Sequence, residues 1–205
     1  MSEIEYVRGD ATAPRATGPK VIAHVCNDRG GWGRGFVLAL SRRWPEPEAA
    51  YRAWYRDRAD NDFALGAVQL VRTGPELWVA NMIGQHGVRR GGGKGVPVRY
   101  EAIDTALDRL AGHAAALSAS VHMPRIGCGL AGGDRERVEP LAAARLLRRG
   151  IPVTVYDSED TKPQEAQEAQ EAVAGRTALQ PAGVGSGPAV GSPGVDVVRR
   201  LDLLP

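Results

Sequence analysis

Three glycine-rich stretches hold most of the residues in this sequence that could do chemistry. RIGCGLAGG (125–133) places four glycines and one cysteine in nine residues. NDRGGWGRGF (27–36) and GQHGVRRGGGKGVP (84–97) are built in the same way. A bare turn with a cysteine fits a reactive thiol, a tight connection or a backbone cradle for an anion. Glycine lets peptide N–H groups approach a phosphate closely. A nucleophilic Cys128 would need a lowered pKa and a base partner, and the sequence supplies neither. Gln85 and His86 open the middle stretch. His86 is the titratable group there suited to work near neutral pH, and the amide of Gln85 could orient a water. His24 lies inside an apolar strand and reads as structural.

The elements around these stretches place all three at strand ends. IEYVRG and KVIAHVC read as strands. GFVLALSRRW reads as a helix, and a second helical segment follows Pro45 and Pro47 through EAAYRAWYRDR. AVQLVR and LWVANMI read as two strands joined by a turn at Gly74-Pro75. RYEAIDTALDRLAGHAAAL carries a helical stripe at Ile103, Ala106, Leu107, Leu110 and Ala111. SVHMPR reads as a strand and VEPLAAARLLRR as a helix, within the helix-like stretch DRERVEPLAAARLLRR. IPVTVYD is the last strand. This alternation predicts a three-layer α/β domain with a largely parallel or mixed sheet. In such sheets, ligands bind beyond the carboxyl ends of the strands, where helix N-termini present unpaired N–H groups.

The composition sets limits. The chain has 205 residues, 43% hydrophobic and 24% charged, enough for one domain with a core. Two cysteines, Cys26 and Cys128, are too few for a disulfide framework and lack zinc-ligand spacing. No secretory signal or membrane-length apolar run is legible, so a cytoplasmic monomer is expected. Composition changes near Ser158. Residues 158–205 contain no aromatic residue, repeat QEA and carry a net charge of −3, against +5 for the part before them. They read as a low-complexity, disordered tail, leaving residues 1–157 as the domain. The common nucleotide motifs fail. GGWGRG lacks G-x-G-x-x-G spacing. In GGGKG, Val88 stands where a P-loop needs its first glycine and Gly95 where it needs Ser or Thr.

VRGDAT, IAHVCNDRGGWGRGFVLAL, MPRIGCGLAGG and VTVYD, in this order, resemble a macrodomain. The resemblance is nearest the branch of terminal ADP-ribose protein glycohydrolase, the DarG antitoxin and ADP-ribose-1''-phosphate phosphatases, and covers roughly residues 3–157. It implies a three-layer α/β/α fold with a mixed central sheet that binds ADP-ribose and needs no cofactor or metal. Asp10, with Ala11 beside it, would take the adenine amino group, and Tyr156 would pack near the adenosine. Trp32, Gly33, Gly35 and Phe36 on one side, and Arg125, Gly127, Cys128, Gly129, Leu130 and Ala131 on the other, would embrace the diphosphate. Asn27 would hold a hydroxyl of the distal ribose.

The glycohydrolase works through a lysine just after the strand matching WVANMI and an aspartate just after the match to GCGL. Here those positions hold Gln85 and Ala131. Lys94 is nearby in sequence, and Asp134 falls three residues late. A route by positioned water remains, with Gln85, Asn27 and His86 as the catalytic candidates. Arg89, Arg90 and Lys94, with Arg99 close by, are candidate contacts to nucleic acid. Three functions stay open. One is a hydrolase removing ADP-ribose from protein carboxylates or a DNA base, with an association to DNA damage. The others are an ADP-ribose-1''-phosphate phosphatase and a non-catalytic ADP-ribose reader. The expected partners are ADP-ribose and ADP-ribosylated protein or DNA, with no membrane.

Overall fold

A computed structural model of the chain describes residues 3–88, 96–128 and 132–157. The expectation for residues 158–205 lies outside them. Six strands form one sheet: β1 (Glu5–Arg8), β2 (Lys20–Asn27), β3 (Val68–Gly74), β4 (Leu77–Gln85), β5 (Ser120–Pro124) and β6 (Val153–Asp157). The spatial order is β1-β6-β5-β2-β4-β3. Every neighbouring pair is parallel except β3 with β4. Four helices complete the fold: α1 (Phe36–Arg43), α2 (Glu46–Arg56), α3 (Tyr100–Leu117) and α4 (Arg135–Arg145).

Two apolar clusters make this a three-layer α/β/α architecture with a mixed sheet. On one face α3 and α4 pack with Val21, Ala23, Ala80, Met82, Val121 and Val153. On the other, α1 and α2 bring Leu40, Tyr51 and Trp54 against Ile22, Cys26, Val79 and Ile83. Strand β2 therefore alternates its side chains between two buried faces. That explains why a central parallel strand reads as a continuous apolar run rather than an alternating one. In α3, Ile103, Ala106, Leu107, Leu110, Ala111 and Ala114 are all fully buried, a stripe at helical spacing. No helix among the described residues is long and apolar enough to cross a membrane.

Both ends of α4 and the last turn of α3 have local causes. α4 begins earlier than VEPLAAARLLRR suggests, because the Asp134 carboxylate accepts the Glu136 N–H at 2.9 Å and caps it there. It ends at Arg145, and the chain tightens into a single 3-10 turn (Leu147–Arg149) before Gly150. Arg145 joins the two helices of this layer through paired bonds of 2.8 and 2.6 Å to Asp104. α3 ends at Ser118, which takes the left-handed conformation at φ 51° without being glycine. Ser118→Gly is therefore expected to stabilise the domain by about 0.5–1 kcal/mol, read as a higher melting temperature. An unchanged or lower melting temperature would show that the Ser118 backbone is not strained.

Candidate functional site

The parallel strands all end at one rim, and the sheet opens there between β2 and β5. These two strands pair only through Lys20–Ser120, Val21–Val121 and Ile22–His122. Beyond Ile22, β2 stays paired with β4 as far as Gln85, while β5 stays with β6 as far as Tyr156. Chain connections also reverse direction at this point: β2 leads outward to β3 and β4, whereas β5 leads the other way to β6. Such a switch point leaves a crevice at the carboxyl ends of the strands. The described parts of the three glycine stretches follow β2, β4 and β5 at this rim.

The first loop is held together by Asn27. Its Nδ2 donates to the Gly31 carbonyl at 2.6 Å, and its Oδ1 accepts the N–H groups of Arg29 and Gly31 at 2.9 and 3.0 Å. From α2, the Tyr51 hydroxyl donates to the Asn27 carbonyl at 2.6 Å. The Asn27 amide is engaged inside the loop and shapes it, while one of its two Nδ2 hydrogens has no partner among the described residues. Gly30 lies against the Tyr55 ring so closely that a Cβ would sit 2.3 Å from it. Trp32 is buried, edge-on to His24, and donates its indole N–H to Ser41 Oγ at 2.8 Å. It staples the loop to α1. Gly33 faces open space. Gly35 then begins α1, which has no side-chain cap and no acidic residue in its first turn. The first amides of this helix, those of Phe36 and Val37 among them, are left without a side-chain cap at the rim.

The second loop is clamped at both ends and tied to the first. Arg99 N–H donates to the Gly84 carbonyl at 2.9 Å, and His86 N–H donates to the Pro97 carbonyl at 2.8 Å. Gln85 donates its side-chain N–H to the Gly87 carbonyl at 3.0 Å, which leaves Oε1 as an acceptor. Asp28 crosses from the first loop: Oδ1 accepts the Gly87 N–H at 2.8 Å, and Oδ2 pairs with His86 Nδ1 at 2.6 Å. Burial pulls the Asp28 pKa up, but the bonds from Gly87 and His86 and the nearby Arg29 outweigh it and hold the carboxylate below its usual value. Arg89, Arg90 and Lys94 lie outside the described residues.

In the third loop the Arg125 guanidinium grips Asp157 at two points and stands 3.6 Å from Glu139, so it braces β6 and α4. Gly127 O accepts the Gly133 N–H at 2.7 Å, closing the loop on itself. A Cβ on Gly133 would come within 2.6 Å of that carbonyl oxygen, so the loop closes only around a glycine. Cys128 is half-buried and points its thiol at the Ile126 carbonyl, 3.4 Å away. Burial raises its pKa, the opposite of what a nucleophile needs. Asp134 is the cap of α4. Gly129, Leu130 and Ala131 lie outside the described residues.

At the far end, Asp10 is half-exposed. Its Oδ1 accepts the N–H and hydroxyl of Thr12 at 2.8 and 2.7 Å, and its Oδ2 meets Arg43 at 3.1 Å. Burial raises its pKa, and these bonds more than reverse that. Ala11 is buried beside it. The Tyr156 hydroxyl lies 3.2 Å from His122 Nδ1.

Asn27, Gly33, Gly35, Gln85, His86 and Gly127 thus lie at or just beyond the carboxyl ends of β2, β4 and β5, on one rim. Arg125 and Asp134 turn away into ion pairs and a helix cap. Asp28 and Tyr51 were missed in the sequence. Tyr51 lies in a helical aromatic stripe with Trp54 and Tyr55, which spacing alone reads as core. Asp28 reads as one more polar loop residue, because its partner is 58 positions away.

No profile of a known protein family matches the chain. Solved structures and curated proteins do. The chain is 70% identical to a macrodomain protein from Streptomyces coelicolor, with a TM-score of 0.69, covering 76% of this chain and 99% of that one. The macrodomain of Mycobacterium tuberculosis DarG is 26% identical, with a TM-score of 0.62, over 76% of this chain and 98% of that one. Among curated proteins, chromodomain-helicase-DNA-binding protein 1-like of Mus musculus is 32% identical over 84% of this chain, which spans only 20% of the mouse protein's length. An ADP-ribose 1''-phosphate phosphatase of Meyerozyma guilliermondii is 28% identical over 36% of this chain and 42% of its own. High identity to a solved macrodomain over nearly its whole length, with the layered mixed sheet and the split between β2 and β5, makes this chain a member of the macrodomain family.

Proposed function

We propose that the crevice binds ADP-ribose and that the protein hydrolyses the bond joining ADP-ribose to a modified macromolecule. The observation that carries the binding half is the uncapped start of α1. Its first amides and the positive end of its dipole lie at the rim beside Gly33, with no side-chain cap and no acidic residue in the first turn to neutralise them. A diphosphate supplies the charge and the acceptors that such a helix start lacks. Gly127 follows β5 on the other side of the split, and Asp10 offers an acceptor for an exocyclic amine. Similarity to proteins named for ADP-ribose 1''-phosphate supports the same ligand class.

The hydrolytic half rests on Gln85. Its side-chain N–H is held by the Gly87 carbonyl, and its Oε1 has no hydrogen-bond partner among the described residues, so it is open as an acceptor for a water. Cleavage develops positive charge at the distal ribose. The neighbouring diphosphate can stabilise that charge, so placement of the water supplies much of what the protein must add. Gln85→Ala is expected to lower kcat on ADP-ribosylated protein or DNA by about 10- to 100-fold, with ADP-ribose affinity unchanged by calorimetry. The glutamine in place of the family lysine favours a pure reader as the second reading. Micromolar binding with no turnover of either substrate decides for that reader.

A further inference from the structure

We propose that Asp28 and His86 act as an acid–base pair, with His86 exchanging the reaction's proton and Asp28 fixing which ring nitrogen exchanges it. The inference rests on the hydrolase reading of the same crevice. Among the described residues, Asp28 ties the first and second loops together by side-chain hydrogen bonds. Both its oxygens are engaged: Oδ1 by the Gly87 N–H, Oδ2 by His86 Nδ1. The carboxylate is largely covered and His86 is about half exposed, with relative side-chain exposures of 17% and 46%.

An ionised carboxylate at 2.6 Å requires a proton on Nδ1. In the neutral ring Nε2 then carries the lone pair, and it has no hydrogen-bond partner among the described residues. A carboxylate that fixes an imidazole tautomer and steadies the imidazolium is a known device of hydrolytic sites. The other charged group seen against the pair among the described residues is Arg29, 3.5 Å from Asp28 Oδ1. Residues 89–95 lie outside the described chain.

The proton accounting makes the pair testable. Water oxygen bonds to the anomeric carbon, and one water proton passes to His86 Nε2. The bond from that carbon to the leaving group breaks, and its electron pair goes with the leaving group. A carboxylate leaves as a stable anion and needs no proton, so the imidazolium later releases its proton to solvent. A base nitrogen leaves as the anion of a weak acid, and the imidazolium returns its proton there. His86 therefore matters more for nitrogen-linked ADP-ribose than for carboxylate-linked ADP-ribose.

The test compares wild type, Asp28→Asn and His86→Ala on a glutamate-linked ADP-ribosyl peptide and a base-linked ADP-ribosyl oligonucleotide. Calorimetry with free ADP-ribose and thermal melting accompany the kinetics. Asparagine keeps an acceptor for the Gly87 N–H but cannot hold the Nδ1 proton as a carboxylate does. Both variants are expected to bind ADP-ribose as wild type does. Each should lose about 30-fold in kcat on the base-linked substrate and only a few-fold on the other. Added imidazole should restore part of the His86→Ala loss. Wild-type kcat in both variants, or an equal loss on both substrates with no rescue by imidazole, overturns the pair and leaves a structural clasp. A wild type that binds ADP-ribose but turns over neither substrate overturns it as well. Failure of wild type to bind ADP-ribose fails the parent reading first, and the pair with it.

Discussion

Gly33→Glu is expected to weaken ADP-ribose binding by about three orders of magnitude, roughly 4 kcal/mol, in a protein that melts at its usual temperature. Gly33 has no positive φ, and a Cβ there meets no atom within 4 Å, so the longer side chain has room. Its carboxylate sits two residues before the N-cap of a helix that has no capping side chain and no acid in its first turn. It can take the α1 amides for itself, a gain of about 0.3–1 kcal/mol for the helix. The same carboxylate then repels the diphosphate from those amides. Gly33→Gln separates charge from bulk: it fills the same space and should lose only about tenfold. Equal losses in the two variants would mean that bulk, not charge, closes the crevice. Unchanged binding in both would remove the diphosphate from the start of α1.

Much of this arrangement is legible in the sequence because it depends on local pattern. Ile103, Leu107 and Leu110 repeat at helical spacing and become the buried face of α3. The runs KVIAHVC and LWVANMI become adjacent parallel strands, and the described parts of the glycine stretches fall at the rim because each follows a strand. What stays hidden is pairing across distance. The early end of β2–β5 pairing after Ile22 leaves no mark in either strand's composition. Arg125 looks like an anion ligand until Asp157 and Glu139 are seen to hold it. Asn27 reads as a group open on all sides, and the fold turns most of its amide onto the loop's own backbone. In both cases the residue type suits a ligand and a protein partner equally, and only the tertiary fold decides between them.

The stability of the domain should fall steeply between pH 6.5 and 4, and two buried histidines are the reason. His24 lies under Trp32 and Phe36, with Nε2 2.6 Å from Asn81 Oδ1. The Asn81 amide donates to Pro47 O and Gln69 Oε1, so its Oδ1 must accept, and the neutral ring carries its proton on Nε2. Burial lowers the His24 pKa to about 4, and the bond to Asn81 restores only part of the fall. Burial also lowers His122 to about 4, with Lys20 adding to the effect and Glu5 opposing it. An imidazole with a folded pKa of 4 and an unfolded value of 6.5 is protonated first in the unfolded chain. Between those values the unfolded state binds more protons, so stability drops as pH falls through the window and levels off below it. Each ring accounts for about 3 kcal/mol, about 6 together, comparable with the whole stability of a domain this size. Hydrogen bonds and neighbouring cations hold the carboxyls of Asp10, Asp28, Asp104 and Asp157 below their usual value, so most of their contribution is lost at the foot of the window and below it. Urea midpoints taken from pH 7 down to 4 read the slope directly. A midpoint that stays level until pH 4 would mean that neither ring is held neutral by burial, and that the His24–Asn81 bond forms with a charged imidazole.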